Sequence, residues 1–174
     1  VTPNPPLVTV VIVNYNGGDM ICQCLTALER QSFQDFATVV VDNNSVDDSV
    51  VAIRKSHPNV AILQLDKNLG FAGGVNCALQ EKALGTWVVL LNPDAFPTED
   101  WLENLVASAQ CHPEYAAFGS RMFSDQDQRM LDGVGDVYHV SGLPWRKGHG
   151  CRNSPLYDQE TEIFAPCAAA ALYR

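Results

Sequence analysis

Val88-Val89-Leu90-Leu91-Asn92-Pro93-Asp94-Ala95 is the stretch on which the reading of the fold turns. Four large apolar residues in a row are too few to cross a bilayer and suit a strand buried on both faces of a parallel sheet. The run stops at a carboxylate. Pro93 forces an extended exit for Asn92 and brings no backbone donor, so Asp94 is expected just past the carboxyl end of the strand with its side chain free. Open α/β sheets keep their ligands at that end of their strands. One carboxylate after one strand is an ordinary loop decoration; it gains weight here because two earlier strands end in the same way.

The chain's first strand is Leu7-Val8-Thr9-Val10-Val11-Ile12-Val13, largely β-branched, which runs into the amide-rich turn Asn14-Tyr15-Asn16-Gly17-Gly18. Met20, Ile21, Cys24, Leu25 and Leu28 then recur at helical spacing and predict an amphipathic helix up to Gln31. The second, Phe36-Ala37-Thr38-Val39-Val40-Val41, ends at Asp42-Asn43-Asn44-Ser45. Ser45 and Asp48 have the spacing of a capping box, which predicts a helix from there to Ser56, closed by Pro58. A third strand, Val60-Ala61-Ile62-Leu63-Gln64-Leu65, gives way to Asp66-Lys67-Asn68. Gly70-Phe71-Ala72-Gly73-Gly74-Val75-Asn76 opens a helix expected to pass through Cys77, Ala78, Leu79 and Ala83 and to stop at Gly85. The opening stretch, extended back to Thr86, is the fourth strand, and Thr98 is placed to cap a helix whose apolar stripe is Trp101, Leu102, Leu105, Val106 and Ala109. This alternation predicts an α/β fold, a mostly parallel sheet with helices on both faces.

Beyond His112-Pro113 the pattern changes. One more strand is expected within residues 115–123, followed by a polar turn over 124–127 and a Gly- and Asp-rich stretch to Pro155 whose elements the sequence does not place. Residues 163–174 are apolar and dominated by alanine. Small side chains there either let the backbone approach a ligand or pack a terminal strand or helix tightly.

A chain of 174 residues, 47% hydrophobic and 18% charged, suits one globular domain with a real core. Its formal net charge of -9, with no block rich in Lys or Arg, argues against nucleic acid as a partner. No apolar run reaches the roughly 20 residues of a spanning helix, and no basic segment followed by an apolar one opens the chain, so neither a transmembrane segment nor a signal peptide is expected. Residues 1–6 are expected to lie loose on the surface. Cys22, Cys24, Cys77, Cys111, Cys151 and Cys167 lack the spacing of a disulfide scaffold or a paired C-x-x-C site, so reduced thiols and a cytoplasmic location are expected, with peripheral attachment to the inner membrane face as the variant. Cys22 and Cys24 point in different directions on a helix and do not suit a metal.

Right-handed crossovers would gather residues 14–16, 42–44, 66–68 and 92–94 into one crevice at the carboxyl edge of the sheet. Asp42 offers two acceptor oxygens to a ribose hydroxyl or a base N–H, and the asparagines offer both donor and acceptor. The glycines at 70, 73 and 74 lead into a helix N-terminus, where backbone N–H groups and the dipole favour a diphosphate. Asp94, a hard oxygen donor, suits Mg²⁺ or Mn²⁺ when phosphate oxygens and water complete the shell. The expected ligand is a metal nucleoside diphosphate.

Val10 to Asn16, Val39 to Ser45, Asn68 to Asn76 and Leu90 to Ala95, in this order, resemble the strand-end motifs of family 2 inverting glycosyltransferases of the GT-A (Rossmann-like) fold, with a weaker match at the alanine-rich end. Asn68-Leu69-Gly70-Phe71-Ala72-Gly73-Gly74 together with Asn92-Pro93-Asp94-Ala95 is most similar to the rhamnosyltransferase-like branch, whose donor is usually dTDP-L-rhamnose. The resemblance implies one GT-A domain over 1–174 extending past its C-terminal side, with a nucleotide-binding part at 1–113 and an acceptor-side part at 114–174. It implies donor contacts from Asn14, Tyr15, Asn16, Asp42, Asn44, Asn68, Gly70, Phe71, Gly74, Asn76 and Asn92, and a metal held by Asp94, the second acidic position of the family's Asp-x-Asp motif. Asn92 stands at the first acidic position, one carboxylate fewer than the family pattern.

In the family an acidic motif carrying the general base follows the small-residue segment, and it would lie beyond Arg174. Asp132 and Asp136 do not match its position and read as loop carboxylates; His139, Trp145, Arg146 and His149 are candidates for an acceptor pocket. The implied reaction is transfer of a hexosyl group from a dTDP- or UDP-sugar to a glycan or lipid-linked acceptor, as in polysaccharide biosynthesis. Two other readings stay open: a non-catalytic nucleotide-sugar-binding module, and a sugar nucleotidyltransferase, although residues 14–19 lack the basic residue the latter needs. A dinucleotide oxidoreductase would need Gly-x-Gly-x-x-Gly after the first strand, which is missing.

Overall fold

The computed structural model describes residues 5–81 and 84–174. Up to the fourth strand the elements are β1 (Val8–Asn14), α1 (Gly18–Glu29), β2 (Phe36–Asp42), α2 (Ser49–Ser56), β3 (Ala61–Gln64), α3 (Gly70–Ala78) and β4 (Trp87–Leu91). Then come α4 (Trp101–Cys111), β5 (Ala117–Gly119), β6 (Met122–Phe123), β7 (Leu131–Gly133), β8 (Asp136–Tyr138), β9 (Pro144–Arg146), a 3-10 turn at Pro155–Tyr157 and β10 (Ala170–Tyr173).

β1 is buried at every position, as its unbroken apolar run requires, because strands flank it on both sides and helices cover both of its faces. The main sheet has the order β3-β2-β1-β4-β10-β5. β1 pairs in parallel with β2 and β4, and β2 in parallel with β3. β10 runs antiparallel to both β4 and β5, so the sheet is mostly parallel. Side-chain alternation divides β1 between two cores. Val8, Val10 and Ile12 pack with α1, α4 and Ile53 of α2, whereas Val11 and Val13 pack against Val75 and Ala78 of α3.

The alanine-rich end is a strand, and its small side chains serve packing. Ala170, Ala171 and Leu172 are buried where β10 slots between β4 and β5. The expected third strand is present but short, and its residues are half-buried or exposed because it forms the sheet edge.

Three local expectations need correction. α2 begins at Ser49, not Ser45, because the Ser45 hydroxyl is taken by the loop after β1 and makes no cap. Thr98 does not cap α4: its hydroxyl donates to Asp100, and the cap comes from Gln31, whose buried side-chain oxygen accepts the Leu102 N–H at 2.9 Å while its Nε2 donates to the Thr98 carbonyl at 2.7 Å. α3 ends at Ala78, short of the expected Gly85, in a turn at Leu79 and Gln80; Ala83 lies outside the described residues, as do Val1 to Asn4 of the lead-in.

Past α4, the expected single strand is two short ones, β5 in the main sheet and β6 paired with β7. β8 and β9 form a hairpin joined to the segment before β10 by an antiparallel bridge between Asp136 and Ala165. These strands have two or three residues each, too few for a side-chain period to show in sequence.

Truncating Leu172, fully buried between β4 and β5, removes packing at the one antiparallel insertion in the sheet. Leu172→Ala is expected to destabilise by about 2–5 kcal/mol, measured by urea unfolding.

Candidate functional site

β1 ends opposite β2, with Asn14 in register with Asp42, and that pair begins the site. Neither side chain is exposed. The Asn14 Nδ2 group lies 3.2 Å from Asp42 Oδ1, 3.1 Å from Ser45 Oγ and 2.9 Å from Ser49 Oγ, so two protons face three acceptors. Ser45 Oγ accepts the Asn16 N–H at 3.0 Å, Asn16 Oδ1 accepts the Val46 N–H at 2.9 Å, and Asp47 accepts the Gly18 N–H at 2.9 Å. Partial desolvation works against the charge of Asp47, but hydrogen bonds from Ser49 and from the Gly18 N–H outweigh it and hold its carboxyl below the usual range. The loops after β1 and β2 are thereby fastened into one rigid unit. Asn16 and Asn44 adopt left-handed backbone, with φ of 54° and 65°, a conformation asparagine tolerates better than other non-glycine residues.

The next loop is tied on by Asn43, which sequence reasoning passed over in favour of Asn44. Asn43 Oδ1 accepts the Leu69 N–H at 2.8 Å and its Nδ2 donates to the Gly70 carbonyl at 3.1 Å. Asn68 Oδ1 accepts the Gly70 N–H at 2.8 Å, an Asx turn that leads into α3 through Gly70 at φ 71°. Gly74 is buried against Val13, where an added Cβ would come within 2.8 Å of Cγ1. That contact explains a glycine at 74 by close packing of helix on strand.

On the other side of β1, Asn92-Pro93-Asp94-Ala95 is a β-turn closed by Ala95 N–H to Asn92 O at 3.1 Å, with Pro93 at the position where proline presets the angle. Asn92 donates its own N–H to Ala169 O at 2.9 Å, and the Cys24 thiol donates to the Asn92 carbonyl at 3.6 Å. Burial, with Asp94 nearby as a smaller cause, pushes the Cys24 thiol up to about 12.

Strand order reverses at β1, with β2 and β3 to one side and β4 to the other, which is the switch point where open α/β sheets form their crevice. A cleft of about 410 Å³ lies there. Among the predicted residues, Tyr15, Asn16, Asn68, Gly70, Phe71, Asn92 and Asp94 line it. Asn14 and Asp42 sit buried outside the lining, Gly74 packs on β1, and Asn44 and Asn76 are exposed elsewhere. Val13, Gly17, Met20, Asn43 and Pro93 join the lining without having been singled out. Strand parity was the missing signal: Asn14 and Asp42 end their strands in register, and the residues after them form the wall.

Asp42 ends β2 and Asp94 follows β4, so both lie at the same edge of the sheet, on strands two places apart and separated by about 10 Å at ordinary strand spacing. Among the described residues no three His, Cys, Asp or Glu side chains converge as a metal cage. The donors at the cleft, one carboxylate from Asp94 and the side-chain oxygen of Asn92, fit a hard cation whose other ligands arrive on a phosphate. The acceptor-pocket candidates lie apart from this lining: Arg146 pairs with Asp132, His149 Nδ1 is 2.9 Å from the Asp132 carbonyl, and Trp145 is exposed beside His139.

This sheet and switch-point cleft are those of the GT-A class. A mannosyltransferase, PcManGT from Pyrobaculum calidifontis in complex with GDP-Man and Mn²⁺, matches with a TM-score of 0.60 and 29% identity over 74% of this chain and 40% of its own. Residues 1–349 of TarS from S. aureus in complex with UDP-GlcNAc match with a TM-score of 0.62 and 25% identity over 78% of this chain and 41% of that one. YwdF of Bacillus subtilis, an uncharacterized glycosyltransferase, is 29% identical over 100 residues, 56% of this chain and 36% of YwdF. Residues 9–163 match the family described as Glycosyl transferase family 2, and the chain belongs to that family. It spans 36% of the length of YwdF, about a third.

A Cβ at position 17 would lie 2.3 Å from Asn14 Oδ1. Gly17→Ala is expected to break the Asn14 knot and to cost about 1–3 kcal/mol in thermal or urea unfolding. Alkylation at pH 8 followed by peptide mapping should label the exposed Cys111 and Cys151 first and Cys24 only after denaturation, since a thiol held near 12 supplies almost no thiolate.

Proposed function

We propose that this chain forms the donor-binding part of an inverting, metal-dependent hexosyltransferase that takes a nucleoside-diphospho-sugar and serves a glycan or lipid-linked acceptor. The observation that carries the reading is the cleft between β1 and β4, with Asp94 on one wall and the exposed aromatics Tyr15 and Phe71 beside it. GDP-Man with Mn²⁺ in PcManGT and UDP-GlcNAc in TarS support a ligand of this class.

In this reading Tyr15 and Phe71 offer ring faces to the base. Asn43 and Asn68 take up the Leu69 and Gly70 N–H groups and hold the entry of α3, so that the Phe71 and Ala72 N–H groups, which have no intrahelical acceptors, are left for the diphosphate. Asp94 would hold Mg²⁺ or Mn²⁺ against the phosphates, and the cation supplies neutralisation of the charge that grows on the leaving diphosphate. The acceptor hydroxyl attacks the anomeric carbon from the opposite face, the bond to the diphosphate breaks, and a carboxylate on the acceptor side takes the hydroxyl proton. Asp42 and Asn14 act from behind the wall by fixing both loops. The motif resemblance favours dTDP-L-rhamnose among donors.

Calorimetry with dTDP, UDP and GDP, each with Mg²⁺ or Mn²⁺, tests this. At least one should bind more tightly with metal than without, and Asp94→Asn should remove that gain, a loss on the order of tenfold. Failure of all three nucleotides to bind overturns the reading.

A further inference from the structure

The β8–β9 hairpin carries the largest concentration of exposed apolar side chains away from the cleft. Its turn is tightly made: His139 N–H donates to Leu143 O at 3.0 Å and Gly142 N–H to His139 O at 2.8 Å, with Gly142 at φ 86°. From this fixed tip Val140 projects at 98% exposure and Leu143 at 66%, with Tyr138 and Trp145 half-exposed behind them. Register places Val137 opposite Trp145 and Tyr138 opposite Pro144, so alternation sends Tyr138 and Trp145 to opposite faces of the ribbon. Tyr138 stacks on the exposed Phe164, with ring centroids 5.3 Å apart, and Trp145 lies beside His139. Large apolar side chains therefore lie on both faces of the ribbon, with His139 and Ser141 hydrogen-bonded to each other in the turn between them.

Charge changes sign here as well. The chain carries a net -9, yet residues 136–152 hold one carboxylate, Asp136, against Arg146, Lys147 and Arg152. Arg146 pairs with Asp132, whereas Lys147 and Arg152 make no ion pair among the described residues.

We infer that this hairpin is a membrane-docking element: Val140 and Leu143 enter the headgroup region of an anionic bilayer, Tyr138 and Trp145 sit at the interface, and Lys147 and Arg152 meet lipid phosphates. A second copy or a protein partner would cover one face of the ribbon and leave the other wet, whereas a bilayer surrounds a tip on every side. A glycan needs a concave platform, and a side chain exposed at 98% provides no enclosure. Aliphatic tip, aromatic collar and basic flank are the profile of an interfacial anchor. The inference stands on the hairpin alone and goes beyond the donor reading.

Co-sedimentation of the chain with vesicles of phosphatidylcholine plus phosphatidylglycerol, against phosphatidylcholine alone, tests it. Binding should require the anionic lipid, fall with salt, drop about tenfold or more in Val140→Asp/Leu143→Asp, and drop about fivefold in Lys147→Gln. Tryptophan emission should shift to the blue on binding, and Trp145→Phe should abolish the shift. The substituted side chains are exposed, so circular dichroism should match the parent. Absence of binding to anionic vesicles, or undiminished binding by the double variant, overturns the inference. So does self-association without vesicles that the double variant abolishes, which would give the surface to a second copy.

Discussion

The buried amide of Asn14 is the constraint on which the site depends. A polar group taken out of water must be hydrogen-bonded or it costs stability, and the amino group of Asn14 meets that requirement with Asp42 on the neighbouring strand, Ser45 from the loop beyond it and Ser49 at the start of α2. Two strand ends and two loops are therefore set relative to one another by a single side chain. The amide oxygen of Asn14 is the one buried side-chain polar atom among the described residues without a hydrogen-bond partner, and it lies against Gly17. Residue 17 can only be small while that oxygen stays where it is.

This polar knot works because the sheet around it is apolar and continuous. β1 buries Val10 and Ile12 under three helices on one face and Val11 and Val13 under α3 on the other. The carboxyl ends of four strands are then presented as a fixed edge, and the loops leaving that edge need little more than local turns to reach one cleft. Division of labour follows: Asn14, Asp42 and Ser45 hold the wall, while Tyr15, Phe71, Asn92 and Asp94 line the cleft.

Much of the architecture was legible in the sequence because buried parallel strands announce themselves as β-branched runs and amphipathic helices by their period. Strands one to four and the helices between them were recognisable on those grounds, as was the position of Asp94 after a proline. What escaped was tertiary. Ser45 has the spacing of a cap, yet the Asn16 backbone competes for its hydroxyl; Gln31 lies at the end of another helix, where no local pattern points to the helix it caps. Asn43 and Asn44 look alike in sequence, and only the strand parity set by pairing distinguishes the one that fastens α3. The short strands after α4 are specified by turns and cross-bridges rather than by periodicity, so they gave no signal.

The contacts that α1 makes with the segment after β4 have a further meaning. Cys24 grips this segment at Asn92, and Gln31, just past the end of α1, grips it at Thr98 and Leu102, so the helix and its exit hold both abutments of a short bridge. Ala95 packs against the core, but the exposed Phe96 in the middle of the bridge can vary while the anchorages keep Asp94 at its post. Phe96 faces the hollow beside α1 rather than the cleft, so sequence drift at that position leaves the underlying frame undisturbed.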